Sequence, residues 1–242
     1  MALSSRPLQR HQSLHEQTYQ ALRNAILSGD LVAGSRLVET QIADLLEVSR
    51  TPVRESIRQL QRENLIVTDA TGSLRVAMLS IVDAMQLYDC RIALEQLSVS
   101  EACCNVTNEQ LKRLEQAIVQ AEKAFGEPNQ LTHFQLLHMD YQFHRLLAES
   151  SANNWLVQIL DQVFDKMALL RLRTVQHNPG VLEIRGEHRR IYEAVRDRNP
   201  IAATQAIQAH LISSKERVVR EIKVLEPRSL GSADSVEADS IW

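Results

Sequence analysis

The sequence predicts a mainly α-helical protein, an N-terminal winged helix-turn-helix followed by an all-α antiparallel helical bundle. Three observations predict it. Apolar residues recur at helical spacing in three short segments before residue 65, and two brief β-prone pieces with a turn between them follow. From Ser80 onward the helical pattern runs almost throughout, with no strand signal. The 242 residues suffice for two modest domains, and 44% hydrophobic with 24% charged residues is an ordinary globular balance.

Residues 1–11 are polar and expected to be a flexible N-terminus, with the winged unit spanning 12–78. Leu14, Ala21, Leu22, Ala25 and Ile26 suit a helix that Ser28 and Gly29 end. GDLVAGSRL reads as a loop and a brief extended piece. A second helix begins at Glu39 or Thr40, with Ile42, Ala43, Leu45 and Leu46 facing inward. Ser49 can cap the third helix, and Pro52 sits in its first turn, where a missing N–H costs no hydrogen bond. Leu65–Thr68 and Leu74–Ala77 then read as hairpin strands around a turn holding Asp69 and Gly72.

The bundle is expected over 79–224, with helices near 80–104, 107–125, 131–150, 153–174, 180–197 and 200–223. Thr107, Gly126 with Pro128, Ser150 with Ser151, Pro179 with Gly180, and Asn199 with Pro200 supply the breaks. Short connections between long helices imply antiparallel neighbours. Residues 225–242 are polar and acidic and read as a flexible tail.

Charge is unevenly spread. Residues 1–79 hold nine arginines, no lysine and eight acids, net +1, while the remainder holds eighteen basic and twenty-two acidic residues, net −4. Four of those nine arginines lie between Arg50 and Arg62. Local charge on a contact face governs nucleic-acid affinity more than the chain average, so the overall −3 does not exclude it. Cys90, Cys103 and Cys104 form an odd set without CxxC or CxxH spacing, as expected of reduced thiols in a cytoplasmic protein. The first residues lack the apolar stretch of a signal peptide. No apolar run approaches the roughly 18 residues of a membrane span.

VSRTPVRESIRQL places Arg50, Arg54 and Arg58 one turn apart on a helix whose Val53, Ile57 and Leu60 form an apolar stripe. A recognition helix needs that arrangement, because one face is buried while its first turn enters the major groove. The arginine fork can take guanine O6 and N7 together. Arg50, Thr51 and Arg54 are the base-reading candidates. Ser49 and Arg58 are phosphate or capping candidates, and Gly72 allows close approach of the wing. Arg58 and Arg62, deeper along the helix, could equally be solvated surface, and Arg75 is a lesser candidate for a phosphate contact.

LVETQIADLLEVSRTPVRESIRQLQRENLI resembles the DNA-binding motif of the GntR family of bacterial transcriptional regulators, with VSRTPVRE its most characteristic string. The resemblance implies that Arg50, Thr51, Arg54 and the wing glycine touch operator DNA. Some members carry an arginine at the position of Thr40, which adds Thr40 to the DNA-binding candidates. Wings of the family often have two nearby glycines where TDATGSLRV has one, and QRENLI presents Asn64 in place of the usual turn glycine. Asparagine tolerates the left-handed conformation.

DYQFHRLL sets Asp140 and His144 four residues apart on one helical face, and two later helices offer His188 and His210. Three imidazoles and a carboxylate can cage a divalent ion. Spacing alone leaves Asp140 and His144 free to form a simple pair, and leaves His133, His138 and His177 as other ligands. CRIALEQLSVSEAC, DYQFHRLLAESSANNWL, EHRRIYEAVRDRNPIAA and IQAHL resemble successive motifs of the FadR-type C-terminal effector (FCD) domain. That resemblance implies Asp140, His144, His188 and His210 as ligands of a divalent metal, Zn²⁺ or Ni²⁺ first and Mn²⁺ third. It also implies a small carboxylate effector, an operator in double-stranded DNA, a homodimer formed through the bundle, and no enzymatic activity.

Arg91 matches an arginine that often points into the effector cavity, with an internal bridge to Glu95 as its alternative role. Asn153 or Asn154, Arg171 and Arg173 are further candidates for the pocket or its border, with solvated helix surface as the equal alternative for Arg171 and Arg173. Two other functions are open to the same sequence: a bundle that serves only dimerisation, and a metal-dependent enzyme fused to a DNA-binding module.

Overall fold

A computed structural model describes residues 13–126, 131–182 and 185–225. The expected flexible ends, 1–11 and 225–242, lie outside the described residues apart from Leu225, which closes the last helix. In the first unit, α1 (Leu14–Ser28) starts where the Ser13 hydroxyl accepts a hydrogen bond from Glu16 N at 3.1 Å. It buries Thr18, Tyr19, Leu22 and Ile26, while Leu14 and Ala21 turn outward. Next come α2 (Glu39–Leu45) and α3 (Arg50–Arg62).

Leu45, expected to face inward, is 82% exposed. Ile42 and Ala43 centre the buried arc of α2, and at 3.6 residues per turn Leu45 points about 110° away from it. Leu46 returns to that arc and is partly buried. Ser49 has the extended backbone of an N-cap but makes no side-chain capping bond. The third helical position is Pro52, which has no N–H to donate, so the capping bond expected there is lost.

Val53, Ile57 and Leu60 are almost fully buried, as the stripe on α3 requires. Asn64 takes the left-handed conformation at φ 54° and hands the chain to the wing. There β1 (Ile66–Thr68) and β2 (Leu74–Val76) pair antiparallel with Ile66 opposite Val76 and Thr68 opposite Leu74. The loop before α2 joins this hairpin through a bridge between Arg36 and Arg75. Its turn is organised by Asp69, whose carboxylate accepts Thr71 N at 2.8 Å, Ser73 N at 3.0 Å and Arg75 Nε at 2.5 Å. The Thr71 hydroxyl, donating at 2.6 Å, and with it those bonds hold the Asp69 carboxyl well below its usual range.

The second unit contains α4 (Ile81–Asn105), α5 (Asn108–Gly126), α6 (His133–Ser150), α7 (Asn154–His177), α8 (Arg185–Arg196) and α9 (Pro200–Leu225). Capping boxes start α4 through Ser80 and Asp83, and α6 through Thr132 and Gln135. Among the described residues the wing hairpin is the one sheet. Two boundaries differ from expectation. Helix α7 runs three residues further, to His177, because Pro179 disfavours helical backbone only at its immediate predecessor, Asn178, which is extended. Pro179–Leu182 forms a separate 3-10 turn, so α8 begins at Arg185 rather than near 180.

The main core joins α4, α5, α6, α8 and α9 through Val99, Leu114, Ile118, Phe143, Leu147, Ile191, Val195, Ile207 and Leu211. Helix α7 serves both units. Met167 and Leu170 pack with Tyr88, Val218 and Ile222, whereas Leu169 completes the core of the winged unit. Gly29, which ends α1 at φ 84°, lies so close to α7 that a Cβ built on it falls 2.4 Å from Leu172 Cδ2.

Gly29→Ala is therefore expected to destabilise the protein by at least about 1–2 kcal/mol from left-handed strain alone. A thermal or urea unfolding midpoint equal to wild type would contradict this docking.

Candidate metal centre and nucleic-acid interface

The leading turn of α3 stands clear of the protein. The side chains of Arg50 and Arg54 are 59% and 49% exposed, and Thr51, Ser49, Arg58 and Thr40 are exposed as well. Both leading arginines lean on Glu39, with Arg50 Nη2 at 3.6 Å and Arg54 Nε at 3.4 Å from Glu39 Oε2. Solvated pairs of this kind contribute little and give way readily to a phosphate or base. A surface groove runs from Thr40 and Arg50 to Thr71, Gly72 and Ser73, so the start of the recognition helix and the wing tip share one face. Gly72 has φ 77° and open space around it.

Arg36 also lines that groove and did not stand out in the sequence, because only its bridge to the wing carries it there. Arg75, by contrast, is half-exposed and bonds Asp69 and the Gly34 carbonyl, the latter at 3.0 Å.

In the bundle, α6, α8 and α9 bring Asp140, His144, His188 and His210 together, all four buried. One ligand atom from each lies within 4.8 Å of all the others. His144 Nε2 is 3.2 Å from His210 Nε2, and Asp140 Oδ1 is 3.4 Å from His188 Nε2 and 3.8 Å from His144 Nε2. Ligands about 2.1 Å from a tetrahedral ion stand about 3.4 Å apart, so this spacing suits a first-row divalent metal. His133, His138 and His177 are outside the cluster; His138 is exposed and His177 pairs with Glu221.

Two observations favour an ion over a hydrogen-bonded polar core. Asp140 Oδ1 and His188 Nε2 are buried without a hydrogen-bond partner, an arrangement costly in a dry interior. The ring nitrogens facing away from the cluster are held by carboxylates: His144 Nδ1 by Glu95 Oε2 at 2.5 Å, and His210 Nδ1 by Glu187 Oε2 at 2.7 Å. A proton on each Nδ1 leaves the Nε2 lone pair aimed inward, as metal-ligating histidines require. Each carboxylate is fixed in turn, Glu95 by Arg91 Nε at 2.7 Å and Glu187 by Arg217 at 3.0 Å. Phe143 stacks on His188 with centroids 4.1 Å apart.

Burial lowers the basicity of His188, and it drives His210 down to about 3, so both rings are neutral donors. Burial alone would raise Asp140, but Arg171 and the nearby imidazoles hold its carboxyl well below the usual carboxylate range. Glu187 and Phe143 escaped the sequence reading, although Glu187 directly precedes His188, and Glu95 was expected as a partner of Arg91 but not of His144.

A cavity of about 180 Å³ opens beside the cluster, lined by Arg91, Asp140, His144 and Arg171 among others. Arg91 forms the internal bridge to Glu95, and its Nη2 remains unpartnered at the cavity. Arg171 is buried on Asp140, not solvated on the helix surface, and its Nε and Nη2 are also unpartnered. Asn153 is elsewhere. It caps α7 by accepting from Leu156 N at 3.1 Å and donates to Glu101 at 3.2 Å, since position 153 falls at a helix start and not on the inward face. Arg173 is exposed and bonds the Leu225 carbonyl.

Residues 14–76 match the model of bacterial regulatory proteins of the gntR family, and residues 86–213 match the FCD domain. The HTH-type transcriptional regulator YdhC of Bacillus subtilis is 33% identical over 80% of this chain and 86% of its own length. This chain belongs to the GntR family. It is a DNA-binding transcriptional regulator of the GntR/FCD type. The HTH-type transcriptional repressor NanR of Klebsiella aerogenes is 26% identical to this GntR-family chain, covering 88% of it and 87% of NanR. The solved structure of E. coli McbR/YncC shares the fold, with a TM-score of 0.74 at 18% identity over 89% of this chain and all of that one. Among the described residues, no helix of the regulator is long and apolar enough to cross a membrane.

Removing Arg171 would leave Asp140 buried without its cation. Arg171→Met is expected to cost about 3–5 kcal/mol in metal-free protein. Added divalent metal should recover part of the loss, because the ion supplies positive charge to the same carboxylate. Equal melting temperatures for the metal-free variant and wild type would refute the pairing.

Proposed function

We propose that this GntR-family regulator is a repressor that binds a palindromic operator as a homodimer and senses a small organic acid at or beside a divalent metal in its FCD domain. The observation that carries the reading is the buried cluster of Asp140, His144, His188 and His210 beside Arg91 and Arg171, each of which keeps unpartnered guanidinium donors. Polar groups desolvated without partners are costly, and an ion with an anionic ligand satisfies both sets together. Three imidazoles and one carboxylate suit Zn²⁺ or Ni²⁺, with Mn²⁺ less favoured by so many nitrogens.

When bound, the ion anchors a ligand carboxylate as a Lewis acid. The chain does the rest. Asp140, His144, His188 and His210 hold the ion, Glu95 and Glu187 orient the imidazoles, and Arg91 and Arg171 take the carboxylate in charge-assisted hydrogen bonds. The cavity of about 180 Å³ has room for a small acid beside the cluster.

On the DNA side, Arg50 and Arg54 read bases, with Thr51, Ser49, Thr40, Arg58 and Gly72 as further contacts to bases or phosphates. One winged unit offers a small interface, and two related by a two-fold axis read a palindrome. Helices α4 and α7 leave Leu97, Trp155 and Ile159 exposed, apolar surface that a second copy would cover. The repressor sense is supported by the name of the NanR relative.

The DNA reading is tested by selecting an operator from random duplexes and titrating it at fixed salt. Arg50→Ala and Arg54→Ala should each weaken specific binding about ten- to a hundred-fold, and wild-type affinity in both would remove them from base readout. The metal reading is tested by elemental analysis: His188→Ala should lower the metal content per chain, and full occupancy would contradict its role as a ligand.

A further inference from the structure

The cavity beside the metal cluster has walls from both units. Arg91, Asp140, His144 and Arg171 line its inner part, and α1 of the DNA-binding unit supplies Arg23, Asn24 and Leu27. A guanidinium therefore stands on the outer wall as well as the inner one. Arg23 Nη2 bonds both carboxylate oxygens of Asp165 on α7 at 2.5 Å, tying the two units together. Asp165 is a strained partner. Burial, together with the nearby Glu63 and Asp161, raises its carboxyl above the usual range although Arg23 lowers it.

Resting on the reading of this cavity as the effector site, we propose that Arg23 is a ligand-binding residue contributed by the DNA-binding domain. The ligand class is then a small acid with two anionic groups. One is held at the inner end by the metal cluster with Arg91 and Arg171; the other is held by Arg23 in exchange for Asp165. The second anion and Asp165 cannot share one guanidinium at close range without like-charge repulsion, so ligand binding releases the strut between α1 and α7.

The release has a short path to the recognition helix. One turn before Arg23 on α1, the Tyr19 hydroxyl bonds Glu63, the residue that ends α3, at 2.9 and 3.0 Å. A shift of α1 is thus passed to α3 through a side-chain contact, in addition to the covalent route through residues 76–80. Differential affinity for the docked and released arrangements is what makes such a ligand a regulator.

The test uses the full-length, metal-loaded protein and two acids with the same four-carbon chain, succinate with two carboxylates and butyrate with one. Calorimetry should give a wild-type preference for succinate of about ten-fold or more. In Arg23→Gln that preference should collapse towards parity, and in Arg23→Lys, which keeps the charge but loses the fork, it should fall part-way. Asp165→Asn should bind succinate more tightly than wild type, because the internal competitor is weakened, a gain that misfolding cannot produce. Succinate should also lower operator affinity in wild type, and much less in Arg23→Gln.

A succinate preference equal to wild type in Arg23→Gln, with metal content measured in each protein, would overturn the assignment of Arg23 alone. Wild-type protein that takes up neither acid would overturn both this assignment and the effector reading beneath it.

Discussion

A buried carboxylate governs the bundle. Asp140 is buried in the bundle with its charge retained, and that charge persists because the Arg171 guanidinium faces it directly. An isolated ion in such a place would cost many kcal/mol, so the carboxylate dictates what its neighbours must be. Arg171 must come inward from α7, His144 must share the face of α6, and α8 and α9 must each present a ring at the same depth. The carboxylates behind His144 and His210, and the arginines behind those carboxylates, repeat the same balancing one layer further out.

Helix α7 carries the consequences across the molecule. One part of it faces the cluster with Arg171, another completes the winged unit's core with Leu169, and a third meets α1 with Asp165 and Leu172. The close approach at Gly29 makes this a packed interface, and packed interfaces switch between discrete arrangements more readily than they deform. The buried cluster of Asp140 and three histidines, the cavity beside it and the winged unit are thereby linked through α7 and the Arg23–Asp165 ion pair. The head of α3 is built differently, from exposed arginines that lean on Glu39 in solvated pairs of little net strength.

Much of this was legible from the chain. The apolar stripe of α3, the hairpin after it and the helical period beyond Ser80 specify the two-part architecture, because burial of one face imposes period 3.6 or period 2 whatever the neighbours are. The histidines were legible as candidates because residue type restricts which groups can bind a metal. Leu45 was misread because an apolar residue carries no mark of its phase when the helix is only two turns long. Asn153 was misread because a cap and a cavity-lining residue have the same polar chemistry. Glu187 and Arg36, and the bond of Glu95 to His144, were missed because their importance lies in what they touch, not in any local pattern.

By itself the sequence determined the order of elements, the buried stripes, the arginines at the head of the recognition helix and the stock of metal-binding side chains. These follow from local geometry and residue chemistry, which act between residues a few positions apart. Only the tertiary structure decided which of the eight histidines converge, which carboxylate fixes each ring, that Arg171 faces inward, and that α1 of the DNA-binding unit forms a wall of the cavity beside the metal cluster. Those are contacts between residues far apart in sequence, set by how helices pack, and no periodicity in the chain records them.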